Sequence, residues 1–104
     1  MDYREYKENL RNAIEGRAKC KAAYAQTQPV RVASDGKMLW KGKVEIYRLE
    51  GHPQAQLAFG WGYQNADKKV EYVTVIGVAP LDNPISAVKA FLASGRMVLF
   101  SVTA

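Results

Sequence analysis

The side chains best suited to chemistry are few and scattered. The chain holds one cysteine, Cys20, and one histidine, His52. A thiolate nucleophile needs a base within hydrogen-bond reach, and nothing in the spacing brings His52 to Cys20. Cys20 shares a small-residue flank with Ala13, Gly16 and Ala23, the pattern of a buried and inert thiol. His52 stands before Pro53 in a turn with no second or third ligand in view, so no metal site is expected. Glu45, Glu50, Asp67 and Glu71 have no spacing that forces two carboxyls together. Gly60-Trp61-Gly62 has strand-like flanks and opens no helix, so it is no nucleotide fingerprint. The expectation is a protein that binds and does not catalyse, with no cofactor.

Cations offer a second chemistry. Residues 16–48 hold Arg17, Lys19, Lys21, Arg31, Lys37, Lys41, Lys43 and Arg48 against Asp35 and Glu45, in a chain whose net charge is +5. The rest of the chain is therefore close to neutral. A basic segment beside a neutral body suits an acidic partner, either nucleic acid or an acidic protein surface. The residues expected to meet it are Arg17, Lys21, Arg31, Lys41, Lys43 and Tyr47. Charge of this size also serves solubility alone.

A third feature is the run Leu57-Ala58-Phe59-Gly60-Trp61-Gly62-Tyr63. At the two-residue period of a strand, Leu57, Phe59, Trp61 and Tyr63 share one face and Ala58, Gly60 and Gly62 the other. The aromatic face reads as core or as a stacking platform for bases. The absence of cations within the strand counts against the platform. Glycine weakens a strand interior, so the bare face calls for close packing by a helix, ligand or partner, or for strong curvature. An alternative function follows. A cavity between the first helix and the sheet, lined by Tyr6, Trp40, Phe59, Trp61 and Tyr72, would hold a small apolar ligand.

The elements that position these residues can be read from periodicity. Asp2-Tyr3-Arg4-Glu5 reads as a capping box, and a helix is expected over about residues 3–25. Tyr3, Tyr6, Leu10, Ala13 and Ile14 form its buried face. Beyond Gly16 that face continues through Arg17, Lys21 and Tyr24, so the second half either overhangs the sheet or rotates its contact onto Ala18, Ala22 and Ala25. Val30-Arg31-Val32 is a short strand, and Ser34-Asp35-Gly36-Lys37 a hairpin turn. Leu39–Leu49 is a longer strand with Trp40, Val44 and Ile46 on one face and Lys41, Lys43, Glu45 and Tyr47 on the other. Strands over 56–64 and 70–79 follow, the latter apolar on both faces. Asn83-Pro84 starts a short helix with Ile85, Val88, Phe91 and Leu92 buried, Gly95 ends it, and Met97–Val102 is a last strand. The order is α-β-β-β-β-α-β. It implies an α+β fold, a curved and mainly antiparallel sheet of four to five strands with its helices on one face.

Length and composition set the frame. The chain has 104 residues, 48% hydrophobic and 24% charged, which suits one globular domain over residues 1–104. No apolar run approaches the ~18 residues of a membrane span. A cytoplasmic protein without a membrane segment is expected. The last strand is apolar on both faces and lacks charge or proline after Arg96, so it lies inside the sheet, parallel to the fourth strand through a helical crossover, or is covered in a homodimer. A homodimer is expected.

Residues 44–94 also resemble a double-stranded RNA-binding domain. The likeness rests on the Glu50-Gly51-His52-Pro53 turn, similar to that family's histidine- and proline-bearing loop between its first two strands, and on the order α-β-β-β-α. The resemblance implies a loop that reaches into an RNA minor groove. The family's basic cluster at the start of its second helix has no counterpart in Asp82-Asn83-Pro84-Ile85-Ser86-Ala87.

Overall fold

Helix α1 spans Tyr3–Ala18 and is shorter than its periodicity suggests. Lys19 takes a left-handed backbone conformation, φ 60°, and its N–H still closes the last helical bond to the Glu15 carbonyl at 2.9 Å. The Glu15 carboxylate then accepts the N–H of Ala22 at 2.9 Å and turns the chain into a strand. The expected helical residues 19–25 therefore belong mostly to β1, Lys21–Ser34. Pairing with the next strand overrides the helical preference of Ala22, Ala23 and Ala25. The structure, a computed structural model, describes residues 3–64, 66–78, 82–94 and 101–103. Asp2, the expected helix cap, lies outside them.

Four antiparallel strands form the body of the sheet: β1, β2 (Lys37–Glu50), β3 (Leu57–Gln64) and β4 (Val70–Ile76). The β1–β2 turn is the one expected. Asp35 and Gly36 both have positive φ, 52° and 76°, and Ser34 faces Lys37. That geometry matches the twist of the flanking strands. Helix α2, Pro84–Ser94, starts as expected, with the Asn83 side-chain oxygen accepting the Ser86 N–H at 2.9 Å. Of its expected stripe, Val88 is buried and Phe91 and Leu92 are partly buried, while Ile85 is 43% exposed.

Ser101–Thr103, β5, pairs antiparallel with β4 at the end of the sheet. The expected crossover to an interior parallel strand is thus incorrect. Most of the stretch assigned to that strand, residues 97–100, lies outside the described residues.

The two helices cover opposite faces of the sheet, not one. On the first face Leu10, Ile14 and Ala18 of α1 pack with Tyr47, Ala58 and Tyr72. On the second, Ala87 and Val88 of α2 pack with Val30, Val32, Val44, Phe59 and Trp61. The two-residue alternation of β3 explains the partition. Phe59 and Trp61 point to α2, and the bare face of Gly60 and Gly62 receives α1. A Cβ on Gly60 would meet Leu10 at 2.9 Å, and one on Gly62 would meet the Tyr6 ring at 2.7 Å. The glycines are the floor on which the helix rests, and the aromatic face is core.

Candidate nucleic-acid interface

The β1–β2 hairpin is much longer than its junction with the rest of the sheet. β1 and β2 pair from Lys21↔Glu50 to Ser34↔Lys37, with register shifts between Tyr24 and Gln26 and between Val32 and Ala33. β2 and β3 pair only over Glu45–Arg48 and Leu57–Gly60. The eight residues Lys37–Val44 thus run on beyond the junction for roughly 25 Å as part of a two-stranded ribbon.

The ribbon is braced on one face. Val30 and Val32 sit in the core with Val88. Trp40 meets Trp61 edge to face at 5.4 Å, and Trp61 meets Phe91 likewise at 5.5 Å. Gly42 makes room for the Trp40 ring, which a Cβ there would meet at 2.9 Å. The other face carries Pro29, Arg31, Lys41 and Lys43, all exposed. Arg31 stands directly opposite Lys41, and Pro29 opposite Lys43. These residues surround a shallow cavity of about 320 Å³. Like charges directly opposite each other in a sheet cost stability. Among the described residues no carboxylate forms an ion pair with any of the three. A rigid strip of uncompensated positive charge is suited to an anion.

The expected patch is not continuous. Arg17 sits in the last turn of α1, and Lys21 begins β1 opposite Glu50. Ten residue steps along the strand, roughly 30 Å, separate Lys21 from Arg31. Tyr47 is fully buried, and its hydroxyl donates to the Lys7 carbonyl at 2.8 Å. Burial, followed by the nearby Glu45 charge, raises its pKa. It cannot meet a partner. Alternation assigned it correctly to the face of Lys41 and Lys43, but α1 covers that part of the face.

The expected ligand cavity is also divided. Tyr6 and Tyr72 lie on the α1 face, in ring contact at 5.9 Å. Phe59 and Trp61 are buried on the α2 face, with Trp40 packed against them. The sheet stands between the two groups, so they line no common space.

Sequence reasoning missed an aromatic and carboxyl cluster at the N-terminal end of α1. Glu45 is 1% exposed. The Tyr3 hydroxyl donates to both of its oxygens, at 3.0 and 3.2 Å, and the Thr27 hydroxyl donates to one of them. The Lys7 ammonium lies over the rings of Tyr3 and Tyr24, at 4.8 and 4.3 Å from their centres. The Gly62 N–H, beyond the last β2–β3 pair, donates to the Tyr6 hydroxyl at 2.6 Å. Burial pushes the Tyr6 pKa up to about 12. The available signal was slight: Glu45 shares its strand face with Lys41, Lys43 and Tyr47, the face expected to be open, and only the structure shows it buried.

His52 serves its own loop. Its Nδ1 accepts the backbone N–H groups of Gln54 and Ala55 at 3.1 and 3.0 Å. Cys20 is half-buried beside the α1-face core. The resemblance to a double-stranded RNA-binding domain does not extend to the topology. The residues between α1 and β2 form a full edge strand, so four long strands separate the helices. No helix among the described residues is long and apolar enough to cross a membrane. No protein-family model, curated protein or solved structure matches this chain.

Proposed function

We propose that the protein binds nucleic acid through the phosphate backbone, using the free face of the β1–β2 ribbon. One observation carries this reading: Arg31 and Lys41 are paired across the strands, with Lys43 beside them, on a ribbon held rigid from behind. Phosphate contacts need positive charge at fixed positions and little else. Two-stranded β-ribbons are a known means of presenting such contacts to nucleic acid. Arg17 and Lys21 take no part, because Arg17 lies in the last turn of α1 and Lys21 at the start of β1, away from the ribbon.

The reading includes a homodimer. β5 ends the sheet, and its stretch of chain has neither charge nor proline after Arg96 to block pairing with a second copy. A dimer would carry two ribbons.

The test is fluorescence anisotropy with a labelled oligonucleotide across a salt series. Three phosphate contacts predict a log–log salt slope of roughly −2 to −3. Replacing both Lys41 and Lys43 with Glu should abolish binding at moderate salt, with the thermal midpoint nearly unchanged, because exposed substitutions cost about 0.5 kcal/mol or less. Arg17→Ala should leave affinity unchanged. Oligonucleotide binding that survives the double substitution would move the site elsewhere. A wild-type chain that binds no oligonucleotide at low salt, while an acidic protein column retains it, would replace nucleic acid with an acidic protein surface.

A further inference from the structure

The sheet forks where β2 leaves β3, and the first turn of α1 lies over the fork. Tyr3 reaches toward one prong, with its hydroxyl on Glu45 of β2 and against Thr27 of β1 at 2.9 Å. Tyr6 reaches to the other prong, Gly62 of β3. Beside these two side chains is an open cleft of about 370 Å³, lined by Tyr3, Tyr6, Gly62, Tyr63, Gln64 and Val70. The volume falls within the range of small-ligand sites.

We propose that this cleft takes one nucleobase, and hence that the nucleic acid is single-stranded. The inference rests on the phosphate-binding reading of the ribbon. Three observations point to a base. Tyr3 is 50% exposed, yet held in place: its hydroxyl is on Glu45, its ring lies nearly parallel to Tyr6, at 18° and 6.1 Å, and the Lys7 ammonium lies over part of the ring, 4.8 Å from its centre. A rigid aromatic surface open to solvent is a stacking platform, and every base has a face to stack on it. The cleft also contains a hydrogen-bonding group. The Gln64 amide donates to the Lys68 carbonyl at 3.1 Å, which orients the side chain and leaves its own carbonyl oxygen as an acceptor for a base edge.

The third observation is the nearness of the cations. Glu45, which holds Tyr3, is two residues from Lys43 on the same face of β2, a step of roughly 7 Å. A strand of nucleic acid lying on Lys41 and Lys43 therefore reaches the fork within a nucleotide or two. Cations beside an exposed aromatic ring are the combination that single-strand binders use. A base paired and stacked within a duplex cannot enter a cleft, so a duplex gains only the phosphate contacts.

The experiment compares a labelled 12-nucleotide single strand with the duplex of the same sequence, at one salt concentration. The single strand should bind at least about tenfold more tightly. Tyr3→Leu should weaken single-strand binding by roughly 5- to 100-fold, the range for loss of one stacked base, and leave duplex binding and the salt slope unchanged. Tyr3→Phe keeps the ring but releases it from Glu45, and its affinity should fall between those of the wild type and Tyr3→Leu. Val70→Phe fills the cleft from the sheet side and should reproduce the loss, which guards against a Tyr3→Leu chain that fails to fold. Equal binding of both forms, unmoved by Tyr3→Leu and Val70→Phe but abolished by charge reversal at Lys41 and Lys43, would overturn the base site and leave the ribbon standing. Failure of both nucleic acids to bind the wild type would overturn the ribbon and the base site together.

Discussion

Gly62 shows how one residue serves both the fold and the site. Its missing side chain lets the Tyr6 ring lie on β3, and its N–H is taken by the Tyr6 hydroxyl. A methyl group there would start 2.7 Å from Tyr6 and 3.4 Å from Tyr72. Tyr6 would have to move, and with it the ring that stacks on Tyr3. Gly62→Ala should therefore cost about 1–3 kcal/mol, the usual range for overpacking, in urea unfolding. It should also weaken single-strand binding. Unchanged stability would mean that Tyr6 has room to move and that the fork is looser than its contacts suggest. Glu45 works by the opposite means, as a buried polar group whose hydroxyl donors fasten the start of α1 to β1 and β2.

The decisive element is the boundary between α1 and β1. Lys19 carries a backbone conformation that costs an ordinary residue about 1–2 kcal/mol and that glycine adopts freely. Glycine occupies this position in many helix ends for that reason. Lys19→Gly should stabilise the chain by roughly 0.5–1 kcal/mol after the entropy of the unfolded glycine is counted, seen as a higher urea midpoint with unchanged binding. Destabilisation would show that the lysine side chain contributes more than the strain removes. The end of the helix matters to function because it releases fourteen residues to β1. Without that strand β2 would have no partner beyond Glu45, and the cations would have no ribbon to stand on.

At the scale of the whole molecule, the sheet has two ends with different protection. β1 carries Pro29 and a register shift between Tyr24 and Gln26, both of which discourage pairing with another chain. β5 and the residues before it back to Arg96 carry no such device. A homodimer should thus form through the β5 end and leave both ribbons free. Light scattering at micromolar concentration should give twice the chain mass, and deletion of residues 97–104 should give a folded monomer that still binds nucleic acid with the same salt slope. A full-length monomer would remove the dimer. A deleted chain that keeps the doubled mass would place the contact elsewhere.

Local patterns were sufficient for much of this protein. The alternation of β2 separated Trp40, Val44 and Ile46 from Lys41, Lys43, Glu45 and Tyr47. Asp35-Gly36 marked the hairpin, Asn83-Pro84 marked the start of α2, and Gly60 and Gly62 signalled a close neighbour. Each depends on the chain within a few residues, through strand period, turn geometry or capping. The end of α1 was not legible, because Ala22–Ala25 favour a helix by themselves and become strand only by pairing with β2. The side on which each helix lies was not legible either. Alternation tells which residues share a face and never which element covers it. That choice divided Tyr6 and Tyr72 from Trp40, Phe59 and Trp61, buried Tyr47, left Arg31, Lys41 and Lys43 in the open, and built a cleft from Tyr3, Tyr6, Gly62 and Val70, residues far apart in sequence.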